Sequence, residues 1–169
     1  MPSTLRNGAF VNLTSQFVVF TLDESRYALE LSAVERTVRM VELTLLPHAP
    51  AIVAGVINAE GRIIPVLNIR KRFNLPERGI RVSDQLLIAR TARRTVALIV
   101  DGVSGLIERP GQDMTRPDEI VPGIEYVAGV IRLADGMALI HNLNDFLSLG
   151  EEDALSAALD REEAGDAQK

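Results

Sequence analysis

Three stretches of this chain occur twice, in the same order, 69 to 75 residues apart, and that duplication restricts the fold more than any single window does. Tyr27-Ala28-Leu29-Glu30-Leu31-Ser32-Ala33-Val34 aligns with Val96-Ala97-Leu98-Ile99-Val100-Asp101-Gly102-Val103, each after a polar turn and an earlier apolar run. Ala54-Gly55-Val56-Ile57 is echoed by Ala128-Gly129-Val130-Ile131. The segment from Gly61 to Ile69 resembles that from Gly136 to Asn144, and each copy is expected to end in a short helical stretch, with Phe73 in one and Phe146 in the other. A half-chain of about 70 residues supplies only a marginal core. Two pseudo-symmetric units sharing a core are therefore expected.

The elements inside each unit are short. Apolar runs recur at Phe17 to Leu22, Tyr27 to Leu31, Ile52 to Ile57, Ile63 to Leu67, Leu86 to Ala89, Val96 to Val100, Val127 to Leu133 and Met137 to Ile140, with turn residues between them. Such spacing predicts an all-β chain, and the polar separators Asp23 to Arg26 and Thr91 to Arg94 read as hairpin turns. Aromatic residues make up only 4 % of the chain and Trp is absent, so the core must come from Val, Ile, Leu and Ala. Five short strands per unit suit a small closed barrel, which hides strand edges. Pro65, inside an apolar run, then belongs at an edge, a bulge or a barrel corner.

Charge divides the chain differently. Residues 151–169 hold seven acids and two bases, which accounts for the whole net charge of −5 and leaves residues 1–150 neutral. The expected organisation is a flexible segment over 1–16, a two-unit β domain over 17–150, and an acidic, partly helical tail over 151–169 that frays beyond Arg161. A neutral body without a basic stripe argues against nucleic acid as a partner. The one basic cluster, Arg70-Lys71-Arg72, reads as a solvated turn of helix. No apolar run approaches the ~20 residues that span a bilayer, and the absence of cysteine fits a reducing, cytoplasmic setting.

Little in the sequence carries covalent chemistry. Ser83, His48 and Asp101 could be assembled into a triad, but no nucleophile-elbow motif accompanies them. His141 lies in an apolar strand and His48 in a Pro47-His48-Ala49-Pro50 loop, neither with a second metal ligand at a useful spacing. Phosphate-binding fingerprints are missing, and Asp101-Gly102 reads as turn chemistry at a strand end. No catalytic residue, cofactor or metal is expected. What remains is glycine-marked turns beside apolar strands, the makings of an interface. A small β-barrel ligand-binding protein would need polar groups converging on a cavity, and few are on offer.

The run Gly55-Val56-Ile57-Asn58-Ala59-Glu60-Gly61-Arg62-Ile63-Ile64-Pro65-Val66-Leu67-Asn68-Ile69-Arg70-Lys71-Arg72-Phe73 resembles the Gly-Val-x-Asn-Leu-Arg-Gly-x-x-x-Pro-Val-x-Asp-Leu-Arg pattern of the CheW family, the chemotaxis coupling adaptors. Phe17 to Phe20, Tyr27 to Leu29, Pro47 to Pro50, Val100 to Val103 and the strand at Gly129 extend the resemblance from about Phe17 to Leu149. It implies two five-stranded SH3-like barrels and a scaffold without enzymatic activity. It also implies binding to the cytoplasmic tip of a chemoreceptor and to the regulatory domain of the histidine kinase CheA, with other CheW-like proteins joining in rings. A related adaptor could serve pili, biofilm or second-messenger pathways. Carried over by motif, the receptor and kinase interface comprises Val34, Arg36, Gly55, Asn58, Glu60, Gly61 and Val103. Two signs are reversed: Glu60 stands where many members have Arg, and Arg36 where they often have Glu. The expectation is a charge-swapped Arg36–Glu60 pair that sets partner specificity. Asn68 replaces the family's usual Asp, removing any ionic contact there.

Overall fold

The computed structural model describes residues 14–110, 114–115 and 127–167, so the expected flexible segment 1–16 lies outside the described residues up to position 13. The first strand, β1, already runs over Thr14–Leu22, three residues ahead of the expected start at Phe17. All eight apolar runs form strands: β1, then β2 (Ser25–Glu30), β4 (Val53–Ala59), β5 (Arg62–Leu67), β6 (Gln85–Arg90), β7 (Thr95–Val100), β10 (Val127–Leu133) and β11 (Gly136–His141). Three further strands among the described residues are β3 (Val34–Arg39), β8 (Gly102–Pro110) and the two-residue β9 (Met114–Thr115).

The strands belong to two compact units, and neither unit is a half of the chain. One contains residues up to Val34 together with Asp101–Asn142; the other contains Glu35–Val100 and the chain from Leu143 onward. The first unit's sheet runs β8-β1-β2-β11-β10-β9, and the second's runs β3-β6-β7-β5-β4. Strand for strand the two orders match, with β9 as the addition. Each repeat has therefore given its leading hairpin, β1–β2 or β6–β7, to the unit built from the other repeat. A cause is visible at Asp101, the single residue between β7 and β8. Unexchanged pairing would put β8 beside β6 and parallel to β7, and one residue is far too short for that crossover. Asp101 instead donates its N–H to the Thr21 carbonyl at 2.9 Å and accepts the Asp23 N–H at 2.6 Å, which anchors β8 beside β1.

The correspondence extends to detail. Both later hairpins carry a register shift at the same place, between Val53 and Gly55 and between Val127 and Gly129, 74 residues on. Ala59 and Arg62 flank a two-residue turn, as do Leu133 and Gly136. The sequence alignment of Gly61 with Gly136 is thus one residue out, and Arg62 occupies the equivalent place. In each unit the two hairpins meet through parallel pairing. It covers Ala138, Leu139 and Ile140 against Arg26, Tyr27 and Ala28 in the first, but only Val66 and Leu67 against Ala97 and Leu98 in the second. Pro65 explains the shorter ladder: it lies on an interior strand, not an edge, and pairing with β7 begins just past the residue that has no N–H to give.

The two cores use equivalent positions. In the first unit Phe17, Val19, Ala28, Ile131, Ala138 and Ile140 cluster. In the second, Leu86, Ile88, Ala97, Ile57, Ile64 and Val66 do so, with Ile99 added. Size is redistributed: the first unit sets Phe17 with Ala138, the second Leu86 with Ile64. Volume-conserving exchange of this kind keeps a core at solid-like density.

The chain ends the described structure in helix α1, Leu149–Ala167, longer than the short helix fraying after Arg161 that composition suggested. Ser148 and Glu151 form a capping box: the Ser148 hydroxyl accepts the Glu151 N–H at 3.1 Å, and the Glu151 carboxylate accepts the Ser148 N–H at 2.8 Å. Of the expected terminal helical stretches, Phe146 lies in a 3-10 turn, Leu143–Phe146. The Phe73 segment forms successive turns instead, and its ring meets Phe146 edge-on at 5.6 Å.

Candidate functional site

The tip of the β4–β5 hairpin gathers four of the seven expected interface residues. A two-residue turn of the type I′ form, whose twist matches that of the strands, needs positive φ at both central positions. Glu60 (φ 55°) and Gly61 (φ 82°) supply it. Asn58 secures the turn by accepting the Gly61 N–H on its side-chain oxygen at 3.0 Å. Across from the tip, β3 brings up Arg36, whose Nη1 lies 2.8 Å from Glu60 Oε1. The side chains are 41 % and 68 % exposed, so the pair is a surface feature worth ~0–1 kcal/mol of stability.

A second pair beside it was not read from the sequence. Arg62 Nη2 lies 3.2 Å from Glu35 Oε1, and the other Glu35 oxygen accepts the Thr95 hydroxyl of β7 at 3.3 Å. The signal was present as Glu35-Arg36 facing Glu60-Gly61-Arg62, opposite signs in opposite order. Seeing it requires the hairpin register.

The remaining expected residues sit elsewhere. Gly55 is buried, and a Cβ there would stand 2.7 Å from the Thr44 carbonyl oxygen. Its bare α-carbon admits the chain's own Leu43–Thr44 segment, which bridges to Val56 through hydrogen bonds of 2.9 and 2.7 Å. Space for a partner helix is not what this glycine provides. Val34 and Val103 are half-buried residues of the first unit; Val34 donates its N–H to Leu31, and Val103 pairs with Phe20.

The basic cluster is not a solvated helical turn. Arg70 is 4 % exposed and donates to the Pro76 carbonyl, Lys71 pairs with Glu77, and Arg72 donates to the Phe146 carbonyl and to Glu151. Arg94 reaches Glu152 at 2.9 Å and the Ser156 hydroxyl at 2.6 Å. The first two turns of α1 are thereby fixed to the second unit. Burial pushes the Glu151 carboxyl up, but the Ser148 N–H and the Arg72 guanidinium outweigh it and hold it below the ordinary value. In the first unit, hydrogen bonding and charge from Arg26 hold Asp135 below its ordinary value.

Of the triad candidates, Asp101 accepts the Asp23 N–H on its carboxylate, and Ser83 and His48 belong to the other unit. His141 is buried, with its ring 5.5 Å from that of Tyr27. Among the described residues no cluster of three acids or histidines could hold a metal, and no helix is long and apolar enough to cross a membrane.

Two like-ordered β units with hairpins exchanged between repeats define this chain as an all-β protein of two similar units. Residues 16–151 match the CheW-like domain, and the chain belongs to that family. The chemotaxis protein CheW of Treponema pallidum (strain Nichols) is 29 % identical over 142 residues, covering 80 % of this chain and 84 % of that protein. The protein of the same name from Rhizobium meliloti (strain 1021) is 25 % identical over 141 residues, covering 82 % and 91 %. The crystal structure of the scaffolding protein TtCheW from Thermoanaerobacter tengcongensis superimposes with a TM-score of 0.74 at 28 % identity, over 82 % of this chain and 96 % of that one.

Proposed function

We propose that this chain is a non-enzymatic coupling adaptor, located in the cytoplasm at membrane receptor arrays. In this reading it joins the cytoplasmic tip of a chemoreceptor to the regulatory domain of the histidine kinase CheA, with other CheW-like proteins alongside in rings. Family membership supports the role. The observation that carries the specificity is the exposed Arg36–Glu60 pair at the β4–β5 tip. Asn58 and Gly61 belong to the same tip and Gly55 is its buried support, while Val34 and Val103, residues of the first unit, are further proposed contact positions. A partner built for the opposite signs meets like charges here, which changes partner choice more than stability.

The test is a titration against the CheA regulatory domain from the same organism, with and without a receptor tip. Saturable binding that strengthens with the tip is expected. Arg36→Glu weakens cognate binding about ten-fold, and Arg36→Glu with Glu60→Arg restores the pair while shifting preference to standard-sign partners. A folded protein that binds no such kinase overturns the adaptor role; equal binding by all variants overturns the specificity.

A further inference from the structure

We propose that Glu35 is the positioning residue of this surface: by sharing its carboxylate between Arg62 and Thr95 it holds the hairpin tip where Glu60 meets Arg36. One carboxylate joins three strands, since it belongs to β3, Arg62 opens β5 and Thr95 opens β7. It is the less exposed of the two acids, its side chain 34 % accessible against 68 % for Glu60. Glu35 is suited to fix, and Glu60 to be met.

The other unit shows that such a network is not a requirement of the fold. At the equivalent positions it has Ser104 and Gly105 on β8, Ala134 in the turn and Gly136 at the start of β11, and its tip is held instead by Arg26, the equivalent of Thr95, which pairs with Asp135 of the turn. Its strand order is nonetheless the same. A quartet of charges that the architecture replaces by a single different pair in the other unit, placed at a tip whose turn is already secured by Asn58, acts on what the tip presents. Two ion pairs of opposite polarity side by side also suppress misplacement, because a tip displaced toward the wrong partner brings Glu60 against Glu35 or Arg62 against Arg36.

The consequence for binding rests on the adaptor reading, so the test has one arm without a partner. Amide exchange at Gly61 in the free protein is expected to rise about five-fold in Glu35→Gln and to recover in part in Glu35→Asp, while exchange at Leu98 stays constant. In the second arm Glu35→Gln weakens receptor-tip binding about five-fold in the native background and leaves it unchanged when Glu60 is already Gln. Unchanged exchange at Gly61 overturns the positioning role, as do equal losses of binding in both backgrounds. Faster exchange in a protein that binds no receptor tip supports the positioning role and counts against the adaptor reading alone.

Discussion

Where β3 of one unit brings Glu35 and Arg36 to a hairpin tip carrying Glu60 and Arg62, the other unit has Ser104, Gly105 and Ala134 lining an open cleft of about 260 Å³. Leu106, Ile107 and Leu133 form its apolar wall, with the Arg26–Asp135 pair at its margin. Beneath these different surfaces the cores coincide position for position, Phe17 with Ala138 in one and Leu86 with Ile64 in the other. The comparison teaches that inward positions carry the architecture and tolerate exchange of size between neighbours. The tips are left to diverge.

The largest expected effect is confined to the unit that holds α1. Glu152 is 6 % exposed and paired with Arg94, a partner whose equivalent in the first unit is Ser25. Arg94→Ala leaves a buried carboxylate uncompensated and should cost about 3–5 kcal/mol in denaturant unfolding. Arg94→Ala with Glu152→Leu should recover much of it. A loss below 1 kcal/mol in the single variant would mean that α1 is only lightly held.

The size exchange predicts an asymmetry in the cores. Ile64→Ala opens a cavity in the second unit and should cost about 2–5 kcal/mol, although its counterpart Ala138 is native in the first. Ala138→Ile overpacks beside Phe17 and should cost about 1–3 kcal/mol, most of it recovered by Phe17→Leu. Thermal melts of the single and double variants decide this. Additive losses would show that Phe17 and Ala138 do not share one space.

The smallest effect is in acid. Glu151 of one unit and Asp135 of the other are held below their ordinary values of 4.5 and 3.8. Each binds a proton less readily when folded, so its stabilisation is complete above those values and is lost as pH falls through the lowered ones. A melting series from pH 6 to pH 3 should show Glu151→Gln flattening the acid limb by under about 1 kcal/mol, since the site is partly exposed. A slope unchanged by that variant would assign the acid loss to other carboxylates.

Much of this architecture could be read locally. Continuous apolar runs marked eight strands, and the repeat marked their equivalence. β3 and β8 stayed hidden because Val34–Arg39 has only two apolar residues and Gly102–Pro110 opens on glycine and ends on proline, both against strand propensity. At the site, departure from the family pattern was enough to single out Arg36 and Glu60. Glu35 and Arg62 were not, because a one-residue change of register would turn them away from each other. Ser148-Leu149-Gly150-Glu151 is a capping box in plain view, and it explains why α1 starts firmly at Leu149.

By itself the sequence determined the all-β class, the duplication and the hairpin turns within Asp23 to Arg26 and Thr91 to Arg94, since apolar runs and turn chemistry act over a few residues. Only the tertiary structure decided that each repeat's leading hairpin joins the other repeat's strands. The two hairpins bury nearly the same set of positions, so local preference cannot distinguish exchanged from unexchanged pairing. The choice falls to chain reach: unexchanged, β8 would lie beside β6 and parallel to β7, a crossover that the one-residue link at Asp101 cannot span, and the strand pairs with β1 instead.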